Sequence, residues 1–195
     1  MKKTIISILL ILTLFTLSSC KKENNKDTEN STTNTEITSA ESTEITETTE
    51  VINEEGFEVG DIAPDFNVKL LSGETVKLTD FRGKPVLLNF WATWCPPCQY
   101  EMPDFQKLYN EYGDNLIILA VNLGEAENEV NTYIEENKYT YRIGLDEMAE
   151  IKYPVLALPT TLLIDKEGKI KAFEEGIPAE DVYGFYKEQI DLLLQ

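Results

Sequence analysis

Two cysteines three residues apart, Cys95 and Cys98, enclose the dipeptide Pro96-Pro97. Sulfur atoms at this spacing can close a structural disulfide, supply half of a zinc knuckle, or exchange electrons with a disulfide on another molecule. The surrounding residues separate these chemistries. Val86-Leu87-Leu88-Asn89-Phe90-Trp91 is a short apolar run of the kind that forms a strand buried on both faces. Beyond the cysteines, Phe105, Leu108, Tyr109 and Tyr112 recur at helical spacing and predict a helix from Pro96 to Tyr112. Cys95 is therefore expected at or beside the helix N-cap. Pro96 and Pro97 fall in the first turn, where a missing N–H costs nothing. The free amides and the positive end of the helix dipole favour an anion there. A thiol so placed should ionise below its ordinary pKa of about 8.5, and the thiolate is the nucleophile in disulfide exchange. Cys98, one turn further in, suits the resolving role: it closes on Cys95 and expels the partner of a mixed disulfide.

The competing chemistries lack residues. A structural zinc site needs four cysteine or histidine ligands. The chain has no histidine, and its one other cysteine is the distant Cys20. No metal is expected. A purely structural bridge across so short a loop adds little chain-entropy stabilisation. The absence of histidine also excludes any imidazole base and any histidine haem ligand. Lysine and arginine total 17 against 35 acids, a formal net charge of −18 in 195 residues. That charge opposes binding to nucleic acid and to an anionic bilayer surface. Any membrane attachment must then be hydrophobic or covalent.

The elements around the cysteine pair follow from pattern. Phe66–Leu70 alternates as a strand, Ser72-Gly73 marks a turn, and Thr75–Leu78 returns. Leu116–Val121 is a second buried strand and Glu127–Asn137 a helix. Thr161–Ile164 and Lys169–Phe173 flank Asp165-Lys166-Glu167-Gly168 as a hairpin, and Ala179–Leu194 forms a closing helix. Pro103 should kink the first helix near its start. The order is a hairpin, then β-α-β-α-β-β-α: an α/β domain with a mixed sheet and helices on both faces.

The N-terminus reads as an address. Lys2 and Lys3 precede the uncharged apolar run Thr4–Leu17, short for a membrane span and suited to a signal peptide. The run ends in Leu17-Ser18-Ser19-Cys20, which resembles a bacterial lipobox, whose cysteine is diacylated and becomes residue one after cleavage. Residues 1–19 are thus expected to be a lipoprotein signal peptide, with Cys20 the lipidated residue. Residues 20–55 form a tether rich in Thr, Glu, Ser and Asn, with three lysines against ten acids. It has too little apolar surface to offset its ordering entropy and is expected to be disordered. Residues 56–195 carry the folded domain.

The segment from Asn89 to Cys98, Asn-Phe-Trp-Ala-Thr-Trp-Cys-Pro-Pro-Cys, resembles the active-site segment of the thioredoxin superfamily, and most nearly its membrane-anchored TlpA/ResA-like thiol-disulfide oxidoreductases. The likeness spans the domain: Gly60-Asp61-Ile62-Ala63-Pro64-Asp65-Phe66 and Leu78–Lys84 match the N-terminal hairpin region, and Leu158-Pro159-Thr160-Thr161 matches the proline loop. The resemblance implies a thioredoxin-like fold with an N-terminal hairpin extension. It implies a cis-proline at Pro159 facing the cysteine pair, and a buried Glu101 that accepts a proton beside Cys95 and Cys98. Many cytoplasmic thioredoxins carry a buried aspartate where this chain has Asn89, which leaves more of that task to Glu101. Trp94, Pro96, Pro97, Leu158 and Pro159 would form the surface that meets a substrate. Pro154 stands where relatives often have glycine, so the loop leading to Pro159 should differ.

What the resemblance implies for function is a monomeric, lipid-anchored enzyme on the extracytoplasmic face of the cell membrane. It would reduce disulfides of exported proteins such as apocytochrome c or methionine sulfoxide reductases, with the Cys95–Cys98 disulfide as its only redox centre and no other cofactor. Electrons would come from a membrane thiol carrier of the CcdA/DsbD type. A peroxiredoxin-like thiol peroxidase shares the N-terminal hairpin but needs Pro-x-x-x-Thr-x-x-Cys, and here position 92, three before Cys95, is alanine, with tryptophan at position 91. A copper-binding assembly factor on this fold uses Cys-x-x-x-Cys and a histidine, which this chain lacks.

Overall fold

The computed structural model describes residues 55–146, 151 and 153–195. The expected signal peptide, Cys20 and almost all of the expected tether lie outside the described residues. Ten elements carry the fold: β1 (Asn67–Leu70), β2 (Thr75–Lys77), β3 (Val86–Trp91), α1 (Pro96–Tyr112), β4 (Ile117–Leu123), α2 (Glu127–Asn137), β5 (Arg142–Asp146), β6 (Thr160–Ile164), β7 (Ile170–Glu175) and α3 (Val182–Leu193). The strands form one mixed sheet in the order β2-β1-β5-β4-β3-β6-β7. β3, β4 and β5 run parallel, and β6 is antiparallel to β3. This is the thioredoxin-like α/β arrangement.

All six residues of β3 are buried, as a run without alternation requires. Its two faces serve different layers. Leu87 and Trp91 join Met102, Phe105 and Leu108 of α1, Val130 and Ile134 of α2, and Val182, Tyr186 and Ile190 of α3. Val86, Leu88 and Phe90 join Ala63, Val68, Leu78, Leu119 and Leu162 on the other side. Among the described residues the three long helices therefore share one face, where the sequence pattern suggested both. Right-handed crossovers β3-α1-β4 and β4-α2-β5 step the same way across the sheet, so both helices land on the same side. The opposite face is covered by the segment leading into β1, by the turn at Leu78–Phe81, and by Tyr153, whose ring packs against Phe57, Phe66 and Phe90.

β5 is a strand that the pattern missed. Arg142-Ile-Gly-Leu-Asp has charged ends and a central glycine, so it shows no apolar run. The glycine is required by packing: a Cβ on Gly144 would lie 2.6 Å from Cγ2 of Val68. Through β5, the N-terminal hairpin joins the main sheet, with Lys69 opposite Leu145 and Leu70 opposite Gly144. α1 runs uninterrupted through Pro103 and ends at Gly113, whose positive φ of 51° closes the helix.

Candidate active site

The parallel strands deliver their C-terminal ends to one edge of the sheet, and the cysteine pair sits there. After Trp91 the chain makes a short turn, with Cys95 N–H donating to the Ala92 carbonyl at 3.2 Å. Cys95 then takes extended backbone angles (φ −91°, ψ 104°) as the N-cap of α1, with Pro96 and Pro97 the first two helical residues. Its sulfur accepts the Cys98 N–H at 3.2 Å, the interaction an N-cap serine or aspartate would make. Because the two prolines carry no N–H, Cys98 supplies the first amide of the helix. Cys95 and Cys98 form a disulfide with Cα atoms 5.3 Å apart.

Cys98 is fully buried and Cys95 is 3% exposed. Cys95 nevertheless opens onto a groove of about 450 Å³ lined by Trp94, Pro96, Pro97, Leu123 and the stretch Val155–Leu158. Trp94 (68% exposed) and Leu156 (88%) stand out into solvent at this groove, unusual exposure for large apolar side chains. The Leu158–Pro159 peptide bond is cis. The structure thus brings Trp94, Pro96, Pro97 and Leu158 together around Cys95. Pro159 lies directly after the groove-lining Leu158, and its carbonyl accepts the Gly176 N–H at 2.8 Å.

Glu101 lies on α1 one helical turn beyond Cys98 and is fully buried. Asn89 is on the α1-facing side of β3, so its amide reaches the carboxylate: Nδ2 donates to Glu101 Oε1 at 2.7 Å and contacts Thr161 Oγ1 at 2.9 Å. Glu101 Oε2 has no hydrogen-bond partner. Burial pushes the Glu101 pKa up to about 8, opposed in part by the Asn89 hydrogen bond. Burial holds the hydroxyls of Tyr141 and Tyr186 above the usual tyrosine range; the Glu101 charge comes next for Tyr186, and after Tyr139 for Tyr141. A carboxyl that titrates near neutrality one turn from a buried thiol is equipped to take up and release a proton there.

One part of the site has no signal in the sequence. Glu125, in the loop after β4, accepts the Thr93 N–H at 2.6 Å, the Thr93 hydroxyl, and the Asn122 side-chain amide at 2.7 Å. Thirty-two residues separate Glu125 from Thr93, and only the parallel β3/β4 pairing unites them. Among the described residues no cluster of three or more acidic, cysteine or histidine side chains is arranged to hold a metal ion.

Comparison with known proteins agrees with this geometry. The model of the AhpC/TSA family matches residues 59–173. The thiol-disulfide oxidoreductase ResA of Geobacillus thermodenitrificans is 45% identical over 128 residues, 64% of this chain and 74% of the relative. A DsbE-type thiol:disulfide interchange protein from Chlorobium tepidum superposes with a TM-score of 0.66 at 29% identity, covering 72% of this chain and all of that one. The exposed lipoprotein thioredoxin of Streptococcus pneumoniae superposes with a TM-score of 0.56 at 28% identity, covering 65% of this chain and 99% of that one.

Proposed function

This chain belongs to the AhpC/TSA family and is a thiol-disulfide oxidoreductase of the ResA and DsbE type, and on that premise we propose that it is a lipid-anchored reductase of disulfides in exported proteins. The observation that carries the exchange chemistry is Cys95 at the tip of α1, opening onto an apolar groove beside the cis Leu158–Pro159 bond. In the reduced enzyme the Cys95 thiolate attacks a client disulfide. The client S–S bond breaks, a mixed disulfide forms, and one client thiolate leaves. Cys98, having lost its proton to Glu101, then attacks the Cys95 sulfur. The intramolecular disulfide forms, the second client thiolate leaves, and two electrons have passed to the client. A thiol carrier of the CcdA/DsbD type returns two electrons to the Cys95–Cys98 disulfide.

The reducing direction has a physical basis in the dipeptide. A thiol pair becomes oxidising when its thiolate is strongly stabilised. Pro96 and Pro97 remove two amide donors from the helix tip, no histidine stands between the cysteines, and the chain is strongly acidic. The Cys95 thiolate therefore gets the helix dipole and the Cys98 amide but little more. The clients are exported proteins of the apocytochrome c or methionine sulfoxide reductase kind. Anchoring rests on Leu17-Ser18-Ser19-Cys20, and the name of the pneumococcal relative, an exposed lipoprotein thioredoxin, supports it.

Equilibration with glutathione tests the direction. The expected potential lies below about −200 mV, and a value as oxidising as about −120 mV would overturn the reductase reading. Palmitate labelling of cells tests the anchor. Wild-type protein should carry label in the membrane fraction and Cys20→Ala should carry none; unlabelled wild-type protein would refute lipidation.

A further inference from the structure

Trp94 and Cys95 follow the end of β3 on a turn that must hold the sulfur at the groove, and Thr93 is the residue by which that turn is held. Its carbonyl accepts the Gln99 side-chain amide at 2.6 Å, which ties it to the first turns of α1. Its N–H and hydroxyl both go to Glu125. Glu125 is itself fixed. Gly124, with a positive φ of 75°, turns the chain sharply after β4 and donates its N–H to the Asp146 carbonyl of β5 at 3.0 Å. The buried Asn122 donates to Glu125 Oε2 at 2.7 Å. All three groups facing the carboxylate are donors, the arrangement an ionised carboxylate satisfies without rearrangement.

We propose that Glu125 is a positioning residue for disulfide exchange: by clamping Thr93 to the ends of β4 and β5, it fixes the turn that presents the Cys95 sulfur to an incoming disulfide. The turn has few anchors of its own. Trp94 is mostly exposed, and the two prolines that follow Cys95 offer no N–H. Without Glu125, the Thr93 N–H and hydroxyl and the buried Asn122 amide lose their acceptor together, and the approach geometry at Cys95 loosens. Small displacements of a reacting atom cost large factors in rate.

Two substitutions separate clamping from charge. Glu125→Ala removes all three contacts. Glu125→Gln keeps them: its oxygen faces the Thr93 N–H and the Asn122 amide, and its NH₂ faces the Thr93 hydroxyl, which rotates to accept.

The test measures reduction of insulin by the reduced full chain, the pH profile of Cys95 alkylation by iodoacetamide, and the melting temperature of each variant. Glu125→Ala is expected to slow insulin reduction about tenfold and to move the alkylation midpoint up, because the N-cap no longer holds the sulfur against the helix tip. Glu125→Gln is expected to rescue at least half of that loss on a logarithmic scale, with no upward shift of the midpoint. Wild-type rate and pH profile in Glu125→Ala, even with a lowered melting temperature, would overturn the inference; so would a smaller rescue by Glu125→Gln. Should Glu125→Ala fail to fold, Thr93→Val decides: it keeps the N–H contact and loses the hydroxyl, and an unchanged rate overturns the inference. The inference rests on the exchange chemistry of the Cys95–Cys98 pair. Wild-type protein that reduces no disulfide would refute that chemistry, whereas an active wild type with an indifferent Glu125→Ala refutes the clamp alone.

Discussion

Asn89 donates its side-chain amide to Glu101 at 2.7 Å, with both residues fully buried between β3 and α1. An aspartate at position 89 would set two carboxyls against each other; the asparagine instead steadies a single carboxyl whose pKa burial has raised to about 8. The pair defines a one-proton store one helical turn from Cys98, and its cost to folding depends on pH.

The sign follows from linkage. Unfolded Glu101 ionises near the ordinary carboxyl value of 4.5, whereas the folded group holds its proton to about 8. Between these values the native state binds more protons than the unfolded state, so stability falls as pH rises. The contribution is fully present below about 4.5 and is lost progressively up to about 8, with a limiting slope of about 1.4 kcal/mol per pH unit. Urea unfolding of the oxidised protein between pH 5 and 8 should show this decline in the wild type and a flatter profile in Glu101→Gln. Parallel profiles would mean that Glu101 does not retain its proton.

The two sulfurs differ in access. In the reduced protein iodoacetamide should label Cys95 and leave Cys98 largely unmodified, with a Cys95 midpoint below about 8.5. Peptide mapping after a short pulse distinguishes them, and equal labelling would remove the distinction between attacking and resolving thiol.

The groove predicts a binding role for its exposed apolar rim. Trp94→Ala and Leu156→Ser remove side chains that stand out beside Cys95. Each should raise KM for a disulfide-containing peptide, by roughly tenfold for the tryptophan, while kcat falls by less than about twofold. Steady-state kinetics check this; a loss confined to kcat would place these residues in the chemical step instead.

Gly144 gives a prediction about the fold. Alanine there forces its methyl against Val68 where β1 meets β5. Overpacking of this kind costs about 1–3 kcal/mol. Denaturant unfolding of Gly144→Ala should show that loss, and hydrogen exchange should place the first opening in the β1–β2 hairpin.

Strength of local pattern separates what the sequence disclosed from what it hid. β3 is a six-residue apolar run ended by a proline-rich helix start, so the strand, α1 and the capping position of Cys95 were all legible. The roles of Glu101 and Pro159 came from family resemblance, since a single glutamate on a helix and a single loop proline carry no pattern of their own. β5 escaped because Gly144 and the charged ends of the strand break the apolar run, although tertiary burial makes it a central strand. The side on which each helix packs was also hidden, because it follows from the direction of successive crossovers and not from any residue. Glu125 was the least legible: its three partners are assembled only by strand order.

The central claim is that Cys95 attacks and Cys98 resolves. It is tested most directly by trapping: Cys98→Ser protein, reduced and mixed with an oxidised client, is quenched with acid and analysed by intact mass and peptide mapping. The account predicts a stable one-to-one mixed disulfide on Cys95, and little adduct on Cys98 in the reciprocal Cys95→Ser protein. No adduct with Cys98→Ser, or equal trapping on Cys98 in Cys95→Ser, would contradict it.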